Sequence, residues 1–182
     1  MWWPRPLSRL LIVAALAGLT AGCFQPMYGD VSVTGAPSIV PKMKSVDVLP
    51  IDAPNGTRLS RVGGVVRDAL IFDLAGGSAA PVSAYRLNVK ITSNQTQVII
   101  DIATARPDMQ NYGINATYTL LEIATGKTVM SGQTFSRVSY NIPGEQQRFA
   151  GERGLRDAED RAAKVLADNI RNRLASYFVA GT

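Results

Sequence analysis

This chain almost lacks histidine and cysteine. These two residues most often supply nucleophiles, general bases and metal ligands. Its 182 residues contain no histidine and a single cysteine, Cys23. Without histidine the chain lacks the commonest general base and metal-ligating side chain. One thiol cannot close an internal disulfide. We therefore predict no catalytic residues, no metal site and no cofactor, and the chemistry left to Cys23 is modification of its own thiol.

Carboxylates near the C-terminus are the remaining candidates for catalysis. Asp157, Glu159 and Asp160 could supply a carboxylate pair for acid–base work. The same segment, however, places an acid four residues before a base three times, which stabilises an exposed helix. These pairs are Glu152 with Arg156, Asp157 with Arg161 and Asp160 with Lys164. The pattern favours a solvated, salt-bridged helix face over an enzyme.

The first 22 residues have the three parts of a secretory signal peptide. Arg5 and Arg9 carry positive charge, Leu10–Leu19 is almost wholly apolar, and small residues precede Cys23. The apolar run is shorter than the roughly 20 residues that cross a bilayer. Residues 19–23 resemble a lipobox, in which the thiol receives a diacylglycerol, although Thr20 stands where leucine is usual. We predict lipidation at Cys23; the alternative is an ordinary signal peptide with a chance cysteine.

Cleavage before Cys23 would leave 160 of the 182 residues, the size of one domain. Loss of Arg5 and Arg9 would lower the net charge from +5 to +3. That mild excess is no signature of nucleic-acid binding, but it would tolerate an anionic lipid. Residues 23–41 are rich in Gly, Pro and Ser and are predicted to be an acylated, flexible tether. Residues 42–182 are predicted to form a single periplasmic domain.

Hydrophobic periodicity divides this domain into six elements. They are a strand at Lys42–Ile51, a helix at Arg58–Leu74, a strand from Tyr85 to Ile102, a strand at Ile114–Leu120, a strand at Thr128–Tyr140 and a helix at Glu145–Phe178. Ser93–Gln95 interrupts the second strand as a bulge, which we prefer, or as a turn. Ala105–Asn111 is predicted to be a loop and Thr125-Gly126 a hairpin turn. Gly63-Gly64 predicts that the first helix approaches the sheet closely. Gly76-Gly77 predicts where this helix ends.

The β-α-β-β-β-α order predicts an α+β fold. We expect a two-layer sandwich of about four mostly antiparallel strands, with two helices packed on one face and a right-handed crossover at its start. The other face of the sheet would then be open. Its polar residues would include Arg86, Lys90, Asn115, Thr117 and Thr119.

Three segments resemble the LptE family of lipopolysaccharide-assembly lipoproteins, in its alphaproteobacterial branch. They are Cys23–Gly29, Arg61–Leu70 and Arg156–Ala163, with Leu166-Ala167-Asp168 and Ile170 beyond. The resemblance extends over the whole chain, and the order and spacing of the segments carry it. It implies a non-enzymatic partner of the β-barrel translocon LptD, which plugs that barrel, assists its assembly and helps to place lipopolysaccharide in the outer leaflet. Phe24, where lipoproteins kept in the inner membrane often have Asp, favours an outer-membrane location.

The lipid phosphates of lipopolysaccharide would favour Arg and Lys donors. We predict Arg86, Lys90, Lys127 and Arg137 as candidate lipopolysaccharide-binding residues, although cations on strands usually serve only solubility. The alternative function is that of a lipid-binding auxiliary lipoprotein of an ABC-type lipid transport system, which would have an inner-membrane partner and no barrel. The sequence leaves open which surface meets the barrel and whether the domain binds lipid.

Overall fold

Three helices and four strands make up the described residues, which are 38–77, 82–101, 106–142 and 148–180 of the computed structural model. In chain order they are α1 at Val40–Lys44, β1 at Val46–Val48, α2 at Arg58–Ala75, β2 at Tyr85–Asp101, β3 at Arg106–Glu122, β4 at Lys127–Asn141 and α3 at Arg148–Ala180. None of the helices in these ranges is both long and apolar enough to cross a bilayer.

The chain divides into two units, Met1–Pro41 and Lys42–Thr182. The predicted signal peptide, Cys23 and most of the predicted tether lie outside the described residues. The four strands and the two long helices, α2 and α3, all belong to the second unit.

One four-stranded sheet forms the first layer of this second unit. Its strand order is β1-β2-β3-β4, with β1 parallel to β2 and the other neighbours antiparallel. Helix α2 packs on β1 and β2, α3 packs on β3 and β4, and the two helices contact each other. The predicted α+β fold, with its mostly antiparallel sheet and two helices on one face, is confirmed.

The core follows from the alternation of side chains along the strands. Leu87, Val89 and Ile91 of β2 are buried, while the residues between them are exposed. On α3 the buried stripe is rich in alanine, whose small side chain lets the helix approach the sheet closely. Its members are Leu155, Ala158, Ala162, Ala163, Leu166, Ala167, Ile170, Leu174 and Ala175. Burial of these apolar surfaces is the main force that holds the two layers together.

The prediction of a strand over Lys42–Ile51 was wrong at both ends. Residues up to Lys44 belong to α1, and the strand keeps only Val46–Val48. Ser45 ends the helix, because its backbone N–H and its hydroxyl both donate to the Lys42 carbonyl, at 3.1 and 2.7 Å. Leu49 still donates to the Leu87 carbonyl at 3.0 Å, but Pro50 has no N–H with which to continue the ladder.

The second strand is continuous through Ser93–Gln95, so the predicted bulge is not there. These residues pair regularly with Ile114, Gly113 and Tyr112, and the register shifts fall later, between Gln97 and Ile100. Their polarity has another cause. Residues 92–97 are all exposed, and β1, which pairs only with Tyr85–Leu87, does not lie beside this part of β2.

The predicted loop at Ala105–Asn111 is also wrong from residue 106 onward, where β3 begins. Pro107 had suggested a loop, since proline cannot donate to a ladder. In the structure Pro107 pairs with Ile100 of β2, whereas the pairing of β3 with β4 starts only at Met109. At Pro107 the strand therefore has one neighbour, and a residue without an N–H is tolerated there.

The predictions for Gly76, as the end of the first long helix, and for Gly63, as a close approach to the sheet, are confirmed, whereas the one for Gly64 is wrong. Helix α2 begins at the cap Thr57, whose hydroxyl accepts from the Ser60 N–H at 3.2 Å, and ends at Gly76 with φ 71°. A Cβ on Gly63 would lie 3.3 Å from Ile51 and 3.6 Å from Ile91, as expected of a close approach to the sheet. Gly64 is exposed and has no atom within 4 Å of such a Cβ, so no close approach explains it.

The hairpin between β3 and β4 turns at Gly126, as predicted. Gly126 has φ 66°, and its N–H donates to the Glu122 carbonyl at 2.9 Å. Farther along β4, Gly132 faces Tyr118 across the strands, and a Cβ there would lie 2.5 Å from the tyrosine hydroxyl. The blurred alternation of this strand thus has a steric reason: the buried Tyr118 ring occupies the space of a side chain at 132.

Candidate functional site

The face of the sheet opposite the helices is polar and exposed. Lys90 pairs with Thr117, and Asn88 pairs with Thr119, so that their side chains share this face. Arg86, Lys90, Asn115 and Thr117 are exposed, and Thr119 is half-buried. The predicted open face therefore exists, and on β2 it carries two cations, Arg86 and Lys90, among short polar side chains.

The open face also has a small concavity beside Arg137 of β4. The Arg137 guanidinium carbon lies 5.3 Å from the centroid of the Phe135 ring, a cation–π distance, and the ring is 60% exposed. Opposite Arg137 a Cβ on Gly113 would lie 2.5 Å from the Asn94 amide oxygen, so a side chain at 113 would displace the Asn94 amide from its present position. The concavity measures about 270 Å³ and is lined by Asn94, Thr96, Asn111, Gly113 and Arg137.

The four predicted cations share the sheet but do not converge. Arg86, Lys90 and Arg137 lie on the open face, whereas Lys127 starts β4 opposite Glu122 at the hairpin end. Through the register Lys90 is level with Gln133, four residues from Arg137. With strands about 4.8 Å apart and about 3.4 Å per residue, the Cα atoms of Lys90 and Arg137 are about 17 Å apart. This spacing suits an extended anionic surface rather than one phosphate.

Ion pairs between α2 and α3 form a second polar cluster, which the sequence did not predict. Arg58 bonds Glu152 at 2.8 Å, where both side chains are more than half exposed. Arg61 bonds Glu159 through one terminal nitrogen and Asp160, at 2.6 Å, through the other. Burial lowers the pKa of Arg61, but the bonds to Asp160 and Glu159 outweigh it and hold the pKa above its usual value. The cluster therefore joins the two helices by charge as well as by packing.

Of the three ion pairs predicted within α3, only Asp157 with Arg161 is present, at 2.7 Å. Glu152 and Asp160 bond arginines of α2 instead, because the two helices pack together. Glu159 was assigned to a solvated face but is only 2% exposed. Its signal was in the sequence, since Glu159 falls four residues after Leu155 on the apolar stripe. One oxygen of this buried carboxylate has no hydrogen-bond partner among the described residues.

The fold is that of several solved bacterial lipoprotein domains. A lipoprotein of Caulobacter crescentus CB15 is 21% identical, with a TM-score of 0.59 over 78% of this chain and 96% of that one. Rare lipoprotein B of Shewanella oneidensis is 14% identical, with a TM-score of 0.52 over 74% of this chain and 96% of that one. At these identities the likeness shows the class of fold alone, a small two-layer α+β domain. No curated protein matches the chain significantly.

The family itself is shown by the sequence. The model of the LptE, lipopolysaccharide-assembly, family matches residues 43–174 of the 182-residue chain. The chain therefore belongs to the LptE family, whose members are non-catalytic lipoproteins of the outer membrane. The predicted family is confirmed, and the matched range includes two of the three segments, Arg61–Leu70 and Arg156–Ala163, whereas Cys23–Gly29 lies before it.

Proposed function

We propose that this LptE-family protein plugs the β-barrel translocon LptD, helps to assemble it and assists insertion of lipopolysaccharide into the outer leaflet. The observation that carries the proposal is the open sheet face. It is broad, because three strands of 15 to 17 residues contribute to it. Its short polar side chains match the water-filled interior of a porin-sized barrel, where an apolar face would not be stable.

The anchor is the second part of the proposal. Acylation of Cys23 would hold the domain at the periplasmic side of the outer membrane, and residues 24–41 would let it reach the barrel lumen. Several acyl chains on one residue bind a membrane firmly, whereas a single chain binds only marginally. Replacement of Cys23 by alanine is expected to move the protein from the membrane fraction to the soluble periplasmic fraction. Retention of the variant in outer-membrane vesicles would refute this part.

The barrel contact is tested by photo-crosslinking in intact cells. A photoreactive residue at Thr117 samples the open face, and one at Lys164 samples the exposed side of α3. We expect Thr117 to form a crosslink to a large outer-membrane barrel and Lys164 to form none. Equal crosslinking from both positions would refute docking through the sheet. A crosslink from Thr117 to an inner-membrane protein would favour the ABC-type lipid transport system instead.

Binding of lipopolysaccharide is proposed to use Arg86, Lys90, Lys127 and Arg137. A charge-reversed variant, Lys90→Glu with Arg137→Glu, tests the two that are farthest from carboxylates in the register. Its matched control, Lys164→Glu with Arg173→Glu, changes the net charge equally on α3. We expect only the first variant to lose affinity for lipopolysaccharide micelles. Equal losses would show a general electrostatic effect and refute a site on the sheet.

A further inference from the structure

A cleft lies where the N-terminal halves of α2 and α3 meet, on the helical layer of the fold. Its volume is about 890 Å³, several times that of the concavity at Arg137. It is lined by Gly56, Thr57, Arg58, Ser60, Arg61, Phe149, Glu152, Arg153, Arg156 and Glu159. Four of these ten residues are arginines, against two glutamates. Neither the family nor the proposed barrel contact assigns a role to this cleft.

Among the residues that the structure describes, two of the four arginines of the cleft have ion-pair partners and two do not. Arg58 and Arg61 bond the acids of α3. Within the described part of the chain, Arg153 and Arg156 have no ion-pair partner, because Glu152, the predicted partner of Arg156, bonds Arg58. Two guanidinium groups are thus left for a ligand. Their planar forks match phosphate oxygens in geometry and charge.

Two further residues indicate that the ligand is more than a phosphate. Glu159 lines the cleft, is 2% exposed, and has one carboxylate oxygen without a hydrogen-bond donor among the described residues. A buried acceptor of this kind is costly unless a donor, such as a hydroxyl group, reaches it. Phe149 is 89% exposed at the same cleft. A free aromatic face offers an apolar platform to a ligand ring.

We propose that this cleft binds a phosphorylated sugar. Arg153 and Arg156 bind the phosphate, Glu159 accepts a hydrogen bond from a sugar hydroxyl, and Phe149 packs against the sugar ring. The inference extends the proposed function without depending on the barrel contact, because the cleft lies on the helical layer and the open face on the other side of the sheet. The sugar phosphate is either free in solution or the headgroup of a glycolipid, and the two sources share this chemistry.

The first test measures affinity for glucose 1-phosphate by NMR titration of the full chain in mild detergent. The variant is Arg153→Glu with Arg156→Glu, and the control is Lys164→Glu with Arg173→Glu on the same helix. A hydrogen bond to a charged group is worth roughly a factor of 10 or more in affinity. We expect at least a tenfold loss in the variant and less than a twofold change in the control. Equal changes in the two would overturn the proposal.

The second test asks whether the sugar is recognised. Phe149→Ala and Glu159→Gln are each expected to weaken glucose 1-phosphate about threefold or more while leaving inorganic phosphate unaffected. Phe149 is exposed, so its variant keeps the fold, and circular dichroism checks this for Glu159→Gln. Wild-type protein that binds inorganic phosphate as tightly as glucose 1-phosphate would overturn the assignment to a sugar.

The third test separates the two sources, using lipopolysaccharide micelles as the lipid-borne probe. If the Arg153, Arg156 variant loses both ligands, the cleft takes the headgroup of the glycolipid. If it loses glucose 1-phosphate alone, the ligand is the soluble sugar phosphate. If it loses neither, the inference is wrong, whatever the photo-crosslinking at Thr117 shows about the barrel. Failure of that crosslink alone would refute the barrel contact and leave the cleft standing.

Discussion

Replacement of Arg61 by alanine is expected to destabilise the domain more than any other change to a surface charge of the two helices. Arg61 is the bonded partner of Glu159 on the neighbouring helix, and the Glu159 side chain is only 3% exposed. Asp160, the second partner, is 41% exposed and stays solvated without Arg61. The variant therefore leaves one carboxylate buried with no donor from Arg61.

The magnitude depends on the burial of the pair. Removing one partner of a buried ion pair costs about 3–5 kcal/mol. Water reaches Arg61, whose side chain is 30% exposed, so we expect the lower end, about 3 kcal/mol. Arg58→Ala is the matched control, because the bond from Arg58 to Glu152 joins side chains that are 54% and 67% exposed. An exposed pair of this kind contributes about 0–1 kcal/mol.

The assay is urea unfolding at neutral pH, followed by far-ultraviolet circular dichroism on the full chain. A second variant shows whether the buried charge is the cause. With Glu159→Met added to Arg61→Ala, no charge remains buried, and replacement of a buried pair by apolar residues is often close to neutral. We expect the double variant to recover at least half of the lost stability. The reasoning would be refuted if Arg61→Ala lowered the free energy of unfolding no more than Arg58→Ala does. It would also be refuted if adding Glu159→Met restored none of the lost stability.

Three further predictions concern packing and pH. Gly132→Ala is expected to cost about 1–3 kcal/mol in urea unfolding, because its Cβ would lie 2.5 Å from the Tyr118 hydroxyl. Gly64→Ala, at an open helical position, is expected to stabilise by up to about 1 kcal/mol; a loss would refute the account of that site. Burial raises the pKa of Tyr118 and Tyr112 above the ordinary 10.0, so the unfolded chain loses these protons first. Stability should therefore be intact below pH 10 and fall above it. Tyr118→Phe should flatten that fall, and an unchanged alkaline slope would contradict the assignment.

Sequence patterns predicted correctly those helices and strands whose structure is determined by residues within the same segment. The alternation in Tyr85–Ile91 and Ile114–Leu120 defined one apolar and one polar face, and the structure buries and exposes those residues accordingly. Helix α2 was predicted to within one residue at its end, since Gly76 stops it with a positive φ. Where the hydrophobic periodicity or a turn residue of a segment determines its structure, the sequence alone was enough to predict that segment.

The failures came where a distant segment decides the outcome. Pro107 is in a strand only because β4 has already ended beside it. Three acids of α3, Glu152, Glu159 and Asp160, bond arginines 94 to 99 residues away in the chain, and no spacing rule within one helix contains that information. The cleft was missed for the same reason, since its arginines come from two helices that only packing brings together.

The two surfaces of the domain impose a constraint on how it can work. The open sheet face cannot lie against a barrel wall and bind lipopolysaccharide through Lys90 and Arg137 at the same time, because the same side chains would be covered, so the two proposed roles of this face have to alternate. The cleft at Arg153 and Arg156 belongs to the helical layer, so a contact confined to the sheet face leaves it uncovered. In a purified complex with the barrel, charge reversal at Lys90 and Arg137 should therefore lose its effect on lipopolysaccharide binding, whereas charge reversal at Arg153 and Arg156 should still weaken the binding of glucose 1-phosphate. If instead the sheet variant retains its effect in the complex, the barrel does not dock on this face, and the polar sheet is a ligand surface in its own right.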